Sequence, residues 1–410
     1  MKTDAHDVAT SEPPWADHED EDPGVGLLDL LTWIGQSKGM IAAVVGAVLA
    51  GAGFAMSGAD RFYEAYLVAW VFWTGIGLGS LALLMVNHLT GGAWGLVIRR
   101  ILEAATRTLP AMAVLGLPIL AGMGHLYHWT HPTTDPVILD KAAYLNVPFF
   151  IGRYVFYFAV WCFMAFRLSA WSAEQDRTGD PALADKMMRL SGGGLLVFGL
   201  TVTFAVVDWM MSVNPHWFST MWGLLYVVGF GLSALAFAIF VLARLAQERP
   251  MAHVVNPSHF HDLGKLLFAF IMLWVYLTFS QFLIIYSANT QEEIPHYWVR
   301  AQNGWQWVGW TLVVFHFIVP YVLLLARNIK RDWSRVSLIA LWMVGIRIVD
   351  YYWHVAPEFH EGLSLGLIDV ALPVALGGVF VMLFAMQLKG RPLLPLLDAG
   401  LAKMLTHHTH

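Results

Sequence analysis

Ten stretches of the chain are apolar enough, at about 20 residues each, to cross the hydrocarbon core of a bilayer. They run over 39–57, 62–90, 104–128, 148–171, 189–213, 217–246, 262–289, 303–327, 334–355 and 364–388. Glycines recur inside them, as at Gly75, Gly77, Gly79, Gly229 and Gly231, where small residues let helices approach closely in lipid. The pattern predicts an all-α integral membrane domain over 38–390. Residues 1–37 break it. They form an acidic tail with Asp17, Glu19, Asp20, Glu21 and Asp22, expected to be disordered or bound to a partner. That tail lacks the basic start and apolar core of a signal peptide, so no cleavage is expected. Residues 391–410 form a second, short tail.

The polar interruptions carry an internal repeat. Val207-Asp208-Trp209 is followed by Val213-Asn214-Pro215 and Trp217, and the same order returns as Val349-Asp350-Tyr351, Val355-Ala356-Pro357 and Phe359. A second pair, Gly75–Ala82 and Gly229–Ala236, is spaced the same way. Both pairings lie four spans apart, so the copies point in the same direction, as in parallel-repeat membrane proteins. The expected architecture is two four-helix bundles, spans 2–5 (62–213) and spans 6–9 (217–355), with spans 1 and 10 peripheral.

Charge placement orients the array. Most lysines and arginines fall in the tails and in alternate loops, while the opposite loops carry only Arg61, Lys141, Arg153 and Arg300. By the positive-inside rule both termini are cytoplasmic, the setting being a bacterial inner membrane. Asp208 and Asp350 then sit in the outer third of their helices. Only 13% of the residues are charged, about half the share in soluble domains. The single cysteine, Cys162, excludes an internal disulfide and any four-thiolate metal or iron–sulfur site. No C-x-x-C-H, phosphate loop or dinucleotide fingerprint occurs, and no nucleic-acid partner is expected.

An ionisable group inside a span is costly and reads first as functional. Asp208 has no cation on its own helix, so desolvation would raise its pKa into a useful range. Asp350 shares a helix face with Arg347 and His354, which makes a structural ion pair the competing reading. His316 near the middle of span 8 and Asp369 in the outer part of span 10 are further buried candidates. Glu292 and Glu293, beside His296 and Arg300, form a polar cluster that could pass protons or simply be a solvated loop. His88 lies at the cytoplasmic end of span 2, where it could snorkel. His125 and His128 could hydrogen-bond a quinone carbonyl, ligate a metal with His131, or line a wet surface. Histidine is too scarce at mid-membrane depth for a bis-histidine haem, and no metal site is expected.

Phe204 to Ser212 with Trp217-Phe218-Ser219-Thr220, and Leu273 to Ser287 with Asn289, Glu292-Glu293-Ile294-Pro295 and Tyr297, resemble the signature of the ActF-type membrane protein of bacterial alternative complex III. That family is similar to NrfD and to the membrane component of polysulfide reductase, and the resemblance covers roughly 38–390. It implies a ten-helix, non-haem subunit of a quinol:cytochrome c, or quinol:high-potential protein, oxidoreductase. Iron–sulfur, multihaem cytochrome c and paralogous NrfD-like subunits would be its partners. Carried onto this chain, a proton path would use Asp208, Asp350, His316, Asp369, Glu292 and Glu293, and Arg347, His354 and His88 are placed in the same path. The alternatives are direct binding of menaquinone or ubiquinone by His125, His128 and Asp208, and a purely structural anchor.

Overall fold

The computed structural model describes residues 27–247, 251–389, 391–395, 397–398 and 401, with side chains described from residue 35 onward. Asp17 to Asp22 of the N-terminal tail and the C-terminal histidines lie outside the described residues, whereas residues 27–37, expected to belong to a disordered or partner-bound tail, are helical and continue into the first long helix. Among those described, every regular element is helical. Nine helices are long and apolar enough to cross a membrane. They are α1 (Gly35–Thr90), α2 (Ala93–Ala121), α3 (Val147–Thr178), α4 (Pro181–Val213), α5 (Trp222–Leu245), α6 (Pro257–Ala288), α7 (Trp305–Leu325), α8 (Trp333–Glu358) and α9 (Leu367–Leu388).

At 56 residues α1 would be about 84 Å long, nearly three bilayer cores, if it were straight. Gly58 divides it into two arms by adopting φ +82° and ψ −179°, a conformation that favours glycine. Capping residues start three helices earlier than, or level with, their apolar runs. The Asn146 side chain accepts from Phe149 N at 3.0 Å at the head of α3. Asp180 accepts from Ala182 N at 2.9 Å before Pro181 of α4, and Asn256 accepts from Ser258 N at 3.0 Å before Pro257 of α6.

The start of α2 corrects the expected one. Arg99, Arg100 and Glu103 read as loop residues preceding a span at 104, yet all three lie inside the helix and are buried. They are tolerated there because they bind one another and acids from elsewhere in the chain.

Helix α5 is buried through most of its length, as a helix apolar on every side must be. The second arm of α1 crosses it where the two glycine-rich motifs meet. A Cβ on Gly79 would lie 2.0 Å from the Phe230 carbonyl oxygen, and one on Gly75 would lie 2.3 Å from the Phe230 ring. Only hydrogen at these positions permits the crossing.

The first arm of α1 runs against α9 through Gly39, Gly46 and Gly53, spaced two helical turns apart. A Cβ on Gly378 would meet Ala43 N at 2.2 Å and Gly39 O at 2.5 Å, backbone atoms that cannot move singly. Gly378→Ala is therefore expected to push the arm off α9 and lower thermal stability by about 1–3 kcal/mol. Gly51→Ala, with nothing within 4 Å, should be neutral in the same melting experiment.

Candidate functional site

Asp208 closes the last turn of α4 and is 1% exposed. As expected, no cation on its own helix pairs with it; the partner comes from α3. Arg153 donates through Nε to Oδ2 at 2.8 Å and through Nη2 to Oδ1 at 2.9 Å. The Tyr157 hydroxyl adds a 3.0 Å bond to Oδ2. Arg153 in turn donates to the Tyr144 carbonyl at 3.0 Å and lies over the Tyr144 and Phe149 rings. Both carboxylate oxygens are bound, in the two-pronged geometry that makes arginine–carboxylate pairs strong.

Asp350 is built differently. Arg347, one turn earlier on α8, holds Oδ2 and also donates to the Tyr351 hydroxyl at 2.9 Å. The guanidinium fits because residue 229 is glycine; a Cβ there would stand 2.2 Å from Nη2. Asp350 Oδ1 has no hydrogen-bond partner. His354 belongs to a separate contact, its Nδ1 lying 3.1 Å from the Tyr226 hydroxyl.

His316 is wholly buried, and neither ring nitrogen has a hydrogen-bond partner. Its ring lies 3.8 Å from that of Trp274 on α6, centroid to centroid. Residues Leu312–Ile318 around it form a π-helical segment. In that register the Phe315 carbonyl would take its donor from residue 320, which is proline and has none. The Trp342 indole of α8 supplies it instead, at 2.8 Å.

Trp274 Nε1 lies close enough to the Asp350 carboxylate to stabilise it, in a geometry short of a full hydrogen bond. Thr278 Oγ1 and both amide atoms of Gln281 follow on α6 and are equally enclosed and unpartnered. Positions 274, 278 and 281 share one helix face.

Around this end of the helices runs a belt of ion pairs and histidine–carboxylate contacts. Arg61 binds Asp369 at 2.5 Å and Glu64 at 3.4 Å, and His360 binds Glu64 at 2.7 Å. Asp369 also accepts from Gly366 N at 2.8 Å, capping α9. Arg300 and His296 hold Glu358 at 2.8 and 3.2 Å. Asn214 reaches the same carboxylate at 2.8 Å, so the tails of the two repeated aspartate motifs touch. Lys141 donates to the Pro215 carbonyl at 2.5 Å. Each of the four basic residues on the sparsely basic side thus has a specific acceptor.

The remaining candidates stand apart. His125 binds Asp60 at 2.5 Å and stacks on Tyr63, while His128 is exposed and His131 bonds the Gly124 carbonyl at 2.8 Å. His125, His128 and Asp208 share no partner, and Asp208 has no oxygen left open. That arrangement does not fit a quinone ring held between them. Glu292 is exposed, and Glu293 accepts from Thr290 at 3.1 Å.

At the opposite end, His88 has its Nε2 enclosed rather than snorkelling outward. It borders a cluster that sequence reading missed, in which Glu103 accepts from Arg100 at 2.7 Å and Ser172 at 2.6 Å. Arg391 stands 3.6 Å from the same carboxylate, and Arg99 binds Asp398 at 2.6 Å. The available signal was Arg99-Arg100 and Glu103 at helical spacing just ahead of an apolar run.

Burial, reinforced by the Arg300 charge, pushes the His296 imidazole down to about 4. It stacks on Trp217 at 3.9 Å as a neutral ring. An unfolded histidine titrates near 6.5, so the unfolded state takes up the proton first on acidification. The stability this neutral ring contributes is complete above pH 6.5 and is lost as pH falls toward 4. Melting temperatures across that range should fall more steeply for the native chain than for His296→Gln.

No family model matches the chain, and no curated protein matches it. Fold and site together define an all-α, multi-pass membrane protein with ionisable groups enclosed among its helices.

Proposed function

We propose that this chain is a non-haem membrane subunit of a quinol-oxidising respiratory complex of the alternative complex III type, and that it carries protons by way of Asp350 and His316. In this reading the two arms of α1 count as separate spans, making ten. Spans 2–5 and 6–9 are two parallel-repeat four-helix bundles, and the first arm and α9 are peripheral. Electrons pass through iron–sulfur and multihaem cytochrome c partners, so this chain's contribution is the proton.

The observation that carries the reading is the group of enclosed, unpartnered polar atoms at His316, Asp350, Trp274, Thr278 and Gln281. In a hydrocarbon setting an unsatisfied polar group costs several kcal/mol. A row of them is sustained when water or a moving proton completes their bonds. The row follows α6 from Trp274 to Gln281, about 10 Å of helix rise, toward the end where Glu292 and Glu293 lie. Asp208, bound on both oxygens, serves as a helix-to-helix lock, and Asp350, open on one oxygen, is the proton carrier. The sequence resemblance and the repeated aspartate motif support the same assignment.

Purification from native membranes in mild detergent, followed by identification of the accompanying subunits, tests it. Recovery with multihaem cytochrome c, iron–sulfur and paralogous membrane subunits is expected. Recovery alone, at native expression level, would overturn the assignment.

A further inference from the structure

A groove of about 240 Å³ runs between α7 and α8, lined only by apolar side chains that include Phe315, Val319, Leu323, Leu338 and Trp342. It ends one helical turn from the linker joining the two helices, since Arg327 follows Leu323 by four residues and Arg335 precedes Leu338 by three. That linker carries Arg327, Lys330 and Arg331, and the first turn of α8 adds Arg335, against one acid, Asp332. Asp332 is already engaged, capping α8 through Ser334 N at 2.9 Å and pairing with Arg335 at 3.0 Å. Lys330 lays its stem along Gly264 with its ammonium 5.9 Å from the Phe268 ring. Arg327 and Arg331 are exposed, and neither has an acidic partner among the described residues. A smaller cavity of about 80 Å³ opens beside Arg331 and Trp333, against the Asn256–Phe260 start of α6.

We propose that this groove and linker bind one anionic phospholipid, with an acyl chain between α7 and α8 and the phosphate at Arg327 and Arg331. An all-apolar groove within the membrane span suits a hydrocarbon chain and offers nothing to a polar ligand. Two uncompensated guanidinium groups on the linker beyond its end favour a negatively charged headgroup over a zwitterionic one. Trp333, half exposed at the start of α8, is the aromatic type that settles at headgroup depth. The inference needs only that the chain spans a membrane; it does not depend on the respiratory assignment.

The test is native mass spectrometry of the purified full-length protein titrated with dioleoylphosphatidylglycerol or dioleoylphosphatidylcholine. Tighter retention of the phosphatidylglycerol is expected. Arg327→Gln/Arg331→Gln should weaken it on the order of 30-fold, leaving phosphatidylcholine binding unchanged. Leu338→Trp, which fills the groove and leaves the charges in place, should weaken it too. Equal binding of the two lipids, or undiminished phosphatidylglycerol binding by the double variant, would overturn the proposal. So would displacement by inorganic phosphate at the same concentrations, which would mark a headgroup site without a chain. A partner subunit's helix found in the groove of the isolated complex would overturn it as well.

Discussion

His316→Phe is expected to leave the fold intact while slowing proton-coupled quinol oxidation about 100-fold. Phenylalanine keeps the aromatic contact with Trp274, which lies 3.8 Å from the histidine ring. It removes two enclosed nitrogens that have no partner, and a buried unsatisfied polar group costs about 1–3 kcal/mol. The variant should therefore melt at or above the native temperature. A loss of turnover together with retained or raised stability separates a proton-carrying role from a structural one. Native turnover and native proton release in the isolated complex carrying His316→Phe would sink the proposed route. Asp350→Asn should lose turnover similarly and flatten its pH dependence. It should also melt lower, because Arg347 keeps its Tyr351 bond at 2.9 Å but loses its only carboxylate among the described residues.

Arg153→Leu should destabilise the protein by about 3–5 kcal/mol, the cost of leaving one member of a buried ion pair unpartnered. Asp208 would then keep only the 3.0 Å bond from Tyr157 in an apolar setting. Adding Asp208→Leu should recover most of the loss, since two well-packed apolar residues often replace a buried pair at little cost. Thermal unfolding of the native chain, both single variants and the double variant forms the required cycle. The double variant should also keep near-native turnover. If it folds well and yet loses proton transfer, Asp208 is a carrier and its role as a lock is refuted.

The contrast between these two aspartates shows where reading along the chain stops. Both motifs were plain as repeats, and Arg347, three residues from Asp350, was a foreseeable partner because helical spacing brings it there. Arg153 precedes Asp208 by 55 residues and belongs to another helix. Nothing in the local pattern at Asp208 indicates it. A faint signal existed in Arg153 itself, one of few cations on its side and flanked by aromatic residues. The cluster around Glu103 was hidden for the opposite reason. Its charges made a buried helical segment look like a loop, because hydropathy weighs each residue as if it met lipid or water alone.

What the sequence determined by itself was that membrane-length helices fill the chain, ten apolar runs against nine such helices among the described residues, because apolar run length and capping residues such as Asp180 and Asn256 act within one or two turns. It also determined that two buried carboxyl groups recur in register and that glycine-rich faces recur with them. Tertiary structure alone decided which carboxylate is closed and which keeps an open oxygen. It decided that the two glycine motifs cross each other and that Asn214 meets Glu358. It likewise left His316 without a partner. These outcomes turn on which side chains from distant helices arrive within about 3 Å of one another, the reach of a hydrogen bond.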